Sequence, residues 1–228
     1  MSRNDRTTAT GGQPSLAAGC PVCAAQSKAV FDELIAWQAR LARSEEAQAQ
    51  FGAMRGFCSF HMWLLQQIGD PLSLARALAP LIETWADDLA RLADEPPTGA
   101  AAAVATSLPR RAGCPVCRAG RDAEADQLQR LAALAETAEG RAELVRAPAS
   151  CLRHLAALLR LGGSQDVVRF FLREHSERLR EVAANLHGYA AKRDVANREL
   201  ISEEEQDAWR RALALLAGAR AVRDAEPE

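Results

Sequence analysis

The feature that most constrains this chain is a cysteine pattern that occurs twice. The segment Gly-Cys-Pro-Val-Cys at residues 19–23 returns letter for letter at residues 113–117. Each copy is followed, after about 35 residues, by a Cys-x2-His pair, which begins first at Cys58 and then at Cys151. All six cysteines of the 228-residue chain belong to this pattern. A repeat of this kind indicates an internal duplication.

The spacing within each copy is typical of metal ligation. A Cys-x2-Cys pair with proline after its first cysteine directs both sulfurs at one point, and a Cys-x2-His pair places its two ligands one turn apart on the same side of a helix. A closed set of three thiolates and one imidazole is typical of structural zinc and leaves no position for a substrate water. The sequence therefore predicts one site within each repeat, formed by Cys20, Cys23, Cys58 and His61 and by Cys114, Cys117, Cys151 and His154.

Zinc is the predicted cofactor, with two ions per chain. Soft thiolate ligands also select iron-sulfur clusters, and some clusters accept a histidine, so two such clusters are the alternative. The chain has 28 basic and 30 acidic residues and a formal charge of -2. Three thiolates and one Zn²⁺ leave one negative charge at each site, which takes the holo protein to about -4.

Apolar residues recur at helical spacing throughout both repeats, and no long stretch alternates with a period of two residues. We therefore expect an all-α fold of two homologous helical repeats, each held by one metal site, and a C-terminal helix that packs across the second repeat. The expected organisation is a flexible N-terminus over 1–18, a first metal-binding repeat over 19–95, a linker over 96–112, a second metal-binding repeat over 113–200, and a C-terminal helix and tail over 201–228.

Local signals place several helix ends. Asp70 and Pro71 are typical of an N-cap and a first turn, and they begin a helix that runs to about Leu92 with Pro80 as an expected kink. The Ser-Glu-Glu-Glu run at residues 202–205 fits a capping box at the start of the last helix. The tryptophans lie in apolar helical patterns and are expected in the core: Trp37, Trp63, Trp85 and Trp209.

Composition excludes several classes of protein. The balance of acidic and basic residues gives no sign of nucleic-acid binding, which normally requires an excess of Lys and Arg. No uncharged apolar run approaches the length of a membrane span. Residues 1–19 lack the apolar stretch of a secretory signal, so we expect a cytoplasmic protein. Thiols remain reduced in that compartment, which favours metal ligation over disulfides.

Two further groups of residues could carry chemistry. His175 lies in an apolar helical stripe, where a hydrogen-bonded core histidine is the default and a catalytic or pH-sensing role is the alternative. Basic side chains at the end of the same helix are favoured by its dipole, although they could also form a patch for an anion or a partner. This second group comprises His187, Tyr189, Lys192, Arg193, Asp194 and Arg198.

Several segments together resemble a known bacterial family. These are the two Cys-Pro-Val-Cys segments, the Gly-Phe-Cys-Ser-Phe-His segment at 56–61, and the closing segment at 207–213 with Leu-Ala-Gly at 216–218. The pattern is similar to the bacterial family catalogued as domain of unknown function 6062, from about Gly19 to Gly218. The resemblance implies a cytosolic helical protein, and it implies no particular activity.

Three functional hypotheses follow, and they are ordered by how strongly the sequence motifs support them. A non-enzymatic zinc scaffold that binds another protein comes first, because no phosphate loop, Gly-x-Ser-x-Gly elbow or His-Glu-x-x-His helix is present. An iron-sulfur electron-transfer protein, or a thiol-based redox sensor, is the second. An enzyme or metal-delivery protein that uses a groove between the repeats is the third, and it depends on His175 and on the cluster at 187–198. The pattern leaves the oligomeric state open.

Overall fold

A computed structural model describes residues 19–94, 98–193 and 200–219. All regular secondary structure in these ranges is helical, which confirms the all-α fold. The helices are α1 (Pro21–Leu41), α2 (Glu45–Ala53), α3 (Ser59–Ile68), α4 (Pro71–Ala93), α5 (Ala100–Ser107), α6 (Pro115–Leu134), α7 (Ala138–Arg146), α8 (Leu152–Arg160), α9 (Gln165–Lys192) and α10 (Glu203–Ala217).

Several helix ends lie where the local signals predict them. The Asp70 carboxylate accepts hydrogen bonds from the backbone N–H groups at the start of α4, and Pro80 lies inside that helix. The capping box of Ser202 and Glu205 is present at the start of α10. The stretch predicted as a linker contains the short helix α5, which is consistent with its run of alanines, the residue with the highest helix propensity.

The two repeats meet where α1 and α6 pack against each other. The side chain of Gln26 donates a hydrogen bond of 3.2 Å to Glu124, while Val30 packs so closely that a Cβ on Gly120 would lie 3.0 Å from it. The contacts run in opposite order along the two helices, so α1 and α6 are antiparallel. In the duplication Gln26 corresponds to Gly120 and Val30 to Glu124. The two contacts are therefore related by a pseudo-twofold axis.

The described residues form two cores, and each contains residues of both repeats. The first contains Trp37, Phe51 and Phe57, whose rings pack with centroids 5.1 to 6.3 Å apart. Val116 of the second repeat is fully buried in it. In the second core Val22 of the first repeat is equally buried. The Cys-Pro-Val-Cys segment of each repeat is thus inserted into the core of the other.

The prediction that all four tryptophans are core residues is wrong for two of them. Trp63 is 70% exposed, because α3 directs its opposite face, with Leu65, into the core. Trp209 is 47% exposed, because α10 packs on α8 and α9 through the small, fully buried side chain of Ala208. The packing of α10 on the second repeat is as predicted, but Trp209, Leu213 and Leu216 face outward.

Candidate metal centres

Every predicted ligand pair lies at the start of a helix. The N-cap residues of α1, α3, α6 and α8 are Cys20, Cys58, Cys114 and Cys151. The second ligand of each pair follows three residues later, in the first turn of the same helix. The N-terminus of a helix carries a partial positive charge, which favours the thiolate form of cysteine. Each site is thus formed where two helices begin.

The four pairs converge into two groups, and the ligand atoms within each group lie within 4.8 Å of one another. The predicted pairing within each repeat is wrong, because the Cys-x2-Cys pair of one repeat meets the Cys-x2-His pair of the other. All eight ligands are buried. We call the groups site A and site B, formed respectively by Cys20, Cys23, Cys151 and His154 and by Cys58, His61, Cys114 and Cys117.

Helix length explains why the pairing crosses between the repeats. The 21 residues of α1 carry the chain about 32 Å away from Cys20. The helix that follows, α2, has nine residues and can return only about 14 Å. Cys58 therefore stays far from the start of α1. Because α1 and α6 pack antiparallel, the start of α6, with Cys114, lies near the C-terminal end of α1 and close to Cys58.

Site A has the geometry of a tetrahedral ligand set. The Nδ1 atom of His154 lies 3.2, 3.4 and 3.3 Å from the sulfurs of Cys20, Cys23 and Cys151. The sulfurs of Cys23 and Cys151 are 3.9 Å apart. Tetrahedral zinc with ordinary bond lengths would place its sulfurs about 3.8 Å apart and its nitrogen about 3.6 Å from each sulfur. The four atoms could therefore hold one metal ion.

Site B repeats this geometry. The Nδ1 atom of His61 lies 3.4, 3.5 and 3.3 Å from the sulfurs of Cys58, Cys114 and Cys117. The sulfurs of Cys58 and Cys117 are 3.7 Å apart, far beyond the length of a disulfide bond, and all six cysteines are free thiols. Both sites use the same histidine nitrogen and the same arrangement of sulfurs.

The crowded sulfurs perturb the pKa values of the metal-free ligands. Hydrogen bonds with Cys20 and Cys23 lower the pKa of the Cys151 thiol, whereas the contact with Cys151 raises the pKa of Cys23. Burial lowers the pKa of His154, but hydrogen bonds to thiolates and to a carboxylate outweigh it and raise the pKa to about 11. In site B burial also lowers the pKa of His61, but hydrogen bonds with Cys114 and Cys58 outweigh it and raise the pKa to about 9. A metal ion would displace the protons that the ligands share here.

Glu124 is a functional residue that sequence reasoning missed. Its carboxylate lies 3.1 Å from Nε2 of His154 and 3.9 Å from the guanidinium of Arg153, and the hydrogen bond with His154 lowers the pKa of Glu124. A carboxylate that accepts from Nε2 leaves the lone pair of Nδ1 free for a metal. The sequence carried one signal, since Glu124 stands where the other repeat has the apolar Val30.

His175 occupies the second core and is buried. Its Nδ1 lies 2.8 Å from the carbonyl oxygen of Phe171, and its Nε2 lies 3.1 Å from the carbonyl oxygen of Ser150. The imidazole thus connects α9 to the residue that precedes Cys151 of site A. These contacts match the default interpretation of His175 as a hydrogen-bonded core residue.

The cluster at the end of α9 is not gathered into one site. His187 is exposed, and it lies 12 residues beyond the buried His175, about 18 Å along the helix. The guanidinium of Arg193 donates to the hydroxyl of Tyr189 at 2.9 and 3.1 Å. The remaining members, Asp194 and Arg198, lie outside the described residues.

Lys192 connects α9 to α10. Its ammonium group lies 2.9 Å from Glu205 and donates to the carbonyl oxygen of Leu200 at 3.2 Å. The hydrogen bond from Lys192 holds the pKa of Glu205 below its ordinary value. We expect Lys192→Met to loosen α10 and lower the Tm of the protein by a few degrees, measured by circular dichroism. Arg193→Met is the matched control and should leave the Tm unchanged, whereas an unchanged Tm in Lys192→Met would contradict the structural role.

A cavity of about 100 Å³ lies beside site A, where Cys20 meets α9 and α10. Ligand pockets are typically several times larger. The cationic side chains that line it are already paired, Arg178 with Glu174 at 2.8 Å and Arg211 with Glu181 at 3.6 Å. This junction between the repeats therefore gives no support to a substrate groove.

Comparisons with known proteins add no family or activity. A search of protein-family models, of curated proteins and of solved structures finds no match to this chain. Among the helices of the described residues, none combines the length and the apolar content that a bilayer crossing requires. Inferences about function therefore depend on the two metal centres.

Proposed function

We propose that this protein is a cytoplasmic zinc-binding helical scaffold that binds another protein. The observation that carries the proposal is the pair of buried Cys3His groups, each built from helices of both repeats. Three thiolates and one imidazole complete the coordination of zinc and leave no open position for a substrate. The ions would therefore serve the fold, and an enzymatic role is disfavoured.

The separations between ligand atoms favour a single ion at each site over an iron-sulfur cluster. The nitrogen-to-sulfur distances are 3.2 to 3.5 Å, and the measured sulfur pairs are 3.7 and 3.9 Å apart. In a cluster the protein ligands bind different iron atoms, so they surround a larger body. These ligands enclose a volume that fits one ion with bonds of about 2.0 to 2.3 Å.

Two further observations support the scaffold role and its compartment. The outer face of α10 exposes Trp209, Leu213 and Leu216 at successive turns, and exposed apolar residues on one helix face are typical of a binding site for another protein. Six free cysteines that all face metal sites suit a reducing compartment such as the cytoplasm. Membership of the bacterial family that the sequence resembles is part of the same proposal.

The metal content of the protein tests this proposal directly. We expect anaerobically purified, untagged protein to be colourless and to contain two zinc ions per chain, measured by elemental analysis together with acid-labile sulfide. Cys58→Ser should reduce the content to one ion, because it removes one thiolate of site B alone. Iron with sulfide, and visible absorption, would contradict the zinc proposal and favour an iron-sulfur redox protein.

A further inference from the structure

The surroundings of the two metal-site histidines differ at three pairs of positions that correspond in the duplication. Around His154 of site A the side chains are charged or polar, whereas the corresponding positions around His61 of site B are apolar or lack a side chain. The three pairs of corresponding residues are Glu124 and Val30, Gln26 and Gly120, and Arg153 and Phe60.

In site A these side chains form one connected group. Nε2 of His154 lies 3.1 Å from the carboxylate of Glu124 and 2.8 Å from the guanidinium of Arg153, and Glu124 also accepts from Gln26 at 3.2 Å. Arg153 donates to Gln26 at 3.4 Å and places its positive charge 3.9 Å from Glu124. A carboxylate on the far nitrogen of a metal-bound histidine orients the ring and makes the ligating nitrogen more basic. In site A, polar groups therefore hold the histidine ring at Nε2, the nitrogen opposite the ligating Nδ1.

Site B lacks this support. No hydrogen bond from the described residues reaches Nε2 of His61, and the ring of Phe60 packs against the imidazole with centroids 5.1 Å apart. The position that would supply a carboxylate holds Val30, which packs against the core that contains this site. On the side away from the ligand sulfurs, the ring of His61 is thus held by packing.

The C-terminal segment adds a second difference. A Cβ on Gly218 would lie 3.2 Å from the sulfur of Cys23 and 3.4 Å from that of Cys151, and Ala219 packs against the second core. The first repeat has no counterpart of α10. Cys117 of site B is accordingly 7% exposed, compared with 2% for Cys23, which holds the same place in its repeat.

From these differences we infer that site B is the exchangeable metal site and that site A is the permanent one. The inference rests on the proposed function, because it assigns different tasks to the two zinc sites. Site B joins α3 to α6 within the first core, so loss of its ion would loosen that core while the second core keeps its metal. The first core would then respond to the supply of available zinc.

A chelator titration of the full chain tests the inference. Protein loaded with ¹¹³Cd²⁺ should give two NMR signals, and Glu124→Gln should shift mainly the signal of site A. As EDTA is added, we expect the site B signal to disappear first, at a chelator concentration about 10 to 100 times lower than that for site A. Glu124→Gln should bring the two concentrations together, whereas Asp126→Asn, an exposed change on the same helix, should leave them apart.

A reciprocal variant examines site B itself. Val30→Glu places a carboxylate at the position that corresponds to Glu124, and we expect it to delay the loss of the site B signal. Simultaneous loss of both signals in the wild-type protein, or earlier loss from site A, would overturn the inference. An order of loss that Glu124→Gln leaves unchanged would also overturn it. Fewer than two bound ions would instead contradict the proposed function, so the two failures are distinguishable.

Discussion

Separating the two repeats should leave neither of them able to fold around zinc as a monomer. A piece that ends at residue 95 keeps Cys20 and Cys23 of site A and Cys58 and His61 of site B, but it has no complete site. Its core also loses Val116, which is fully buried in the intact chain. Structural zinc supplies folding free energy directly, so a piece without a closed site should remain largely unfolded.

Mixing the two pieces with zinc should restore the fold. We expect a complex of one first-repeat piece and one second-repeat piece, with two zinc ions and the helicity of the intact chain. Analytical ultracentrifugation with circular dichroism and elemental analysis would measure it. A single repeat that binds one zinc ion tightly as a folded monomer would contradict the crossed sites.

The crossed arrangement also suggests how the duplication arose. Each repeat carries half of two sites, and the contacts between α1 and α6 are related by a pseudo-twofold axis. A symmetric dimer of a single repeat would form the same two sites between its subunits. Fusion of the two copies would then have freed positions such as Val30 and Glu124 to diverge.

The ligand pairs could be predicted from the sequence, whereas their partners could not. Spacings of three residues at a helix start are a local property, so Cys20 with Cys23 and Cys58 with His61 were identifiable as pairs. Which pairs meet depends on how α1 lies on α6. That packing requires the close approach at Gly120, and no periodic pattern in the sequence reports it.

Other differences have the same origin in tertiary packing. An apolar residue within a helical pattern is expected inside, but Trp63 lies on the outer face of α3 because His61 and Leu65 occupy the inner face. A role for Glu124 could not be predicted from the sequence, because its partner, His154, is 30 residues away along the chain. The all-helical fold and the capping box at Ser202 depend on local signals, and both were predicted correctly.

Two substitutions within the first repeat should destabilise opposite halves of the protein. Cys20→Ser removes a ligand of site A, which anchors α8 in the second core. Cys58→Ser removes a ligand of site B, which anchors α3 in the first core. Loss of a structural metal is among the largest effects that a single substitution can have, and we expect about 5 kcal/mol or more in the affected core.

Hydrogen exchange resolved by segment would measure this crossed effect. In Cys20→Ser we expect protection to fall more than about a thousandfold in α8 and the start of α9, while α3 and α4 keep theirs. Cys58→Ser should give the reverse pattern, although both cysteines belong to the same repeat. Cys20→Ser combined with Cys151→Ser should add little to either change alone, because both residues serve site A and their effects are not additive. Loss of protection in the first repeat alone upon Cys20→Ser would mean that the sites do not cross, since the damage would then stay within the repeat that carries the substitution.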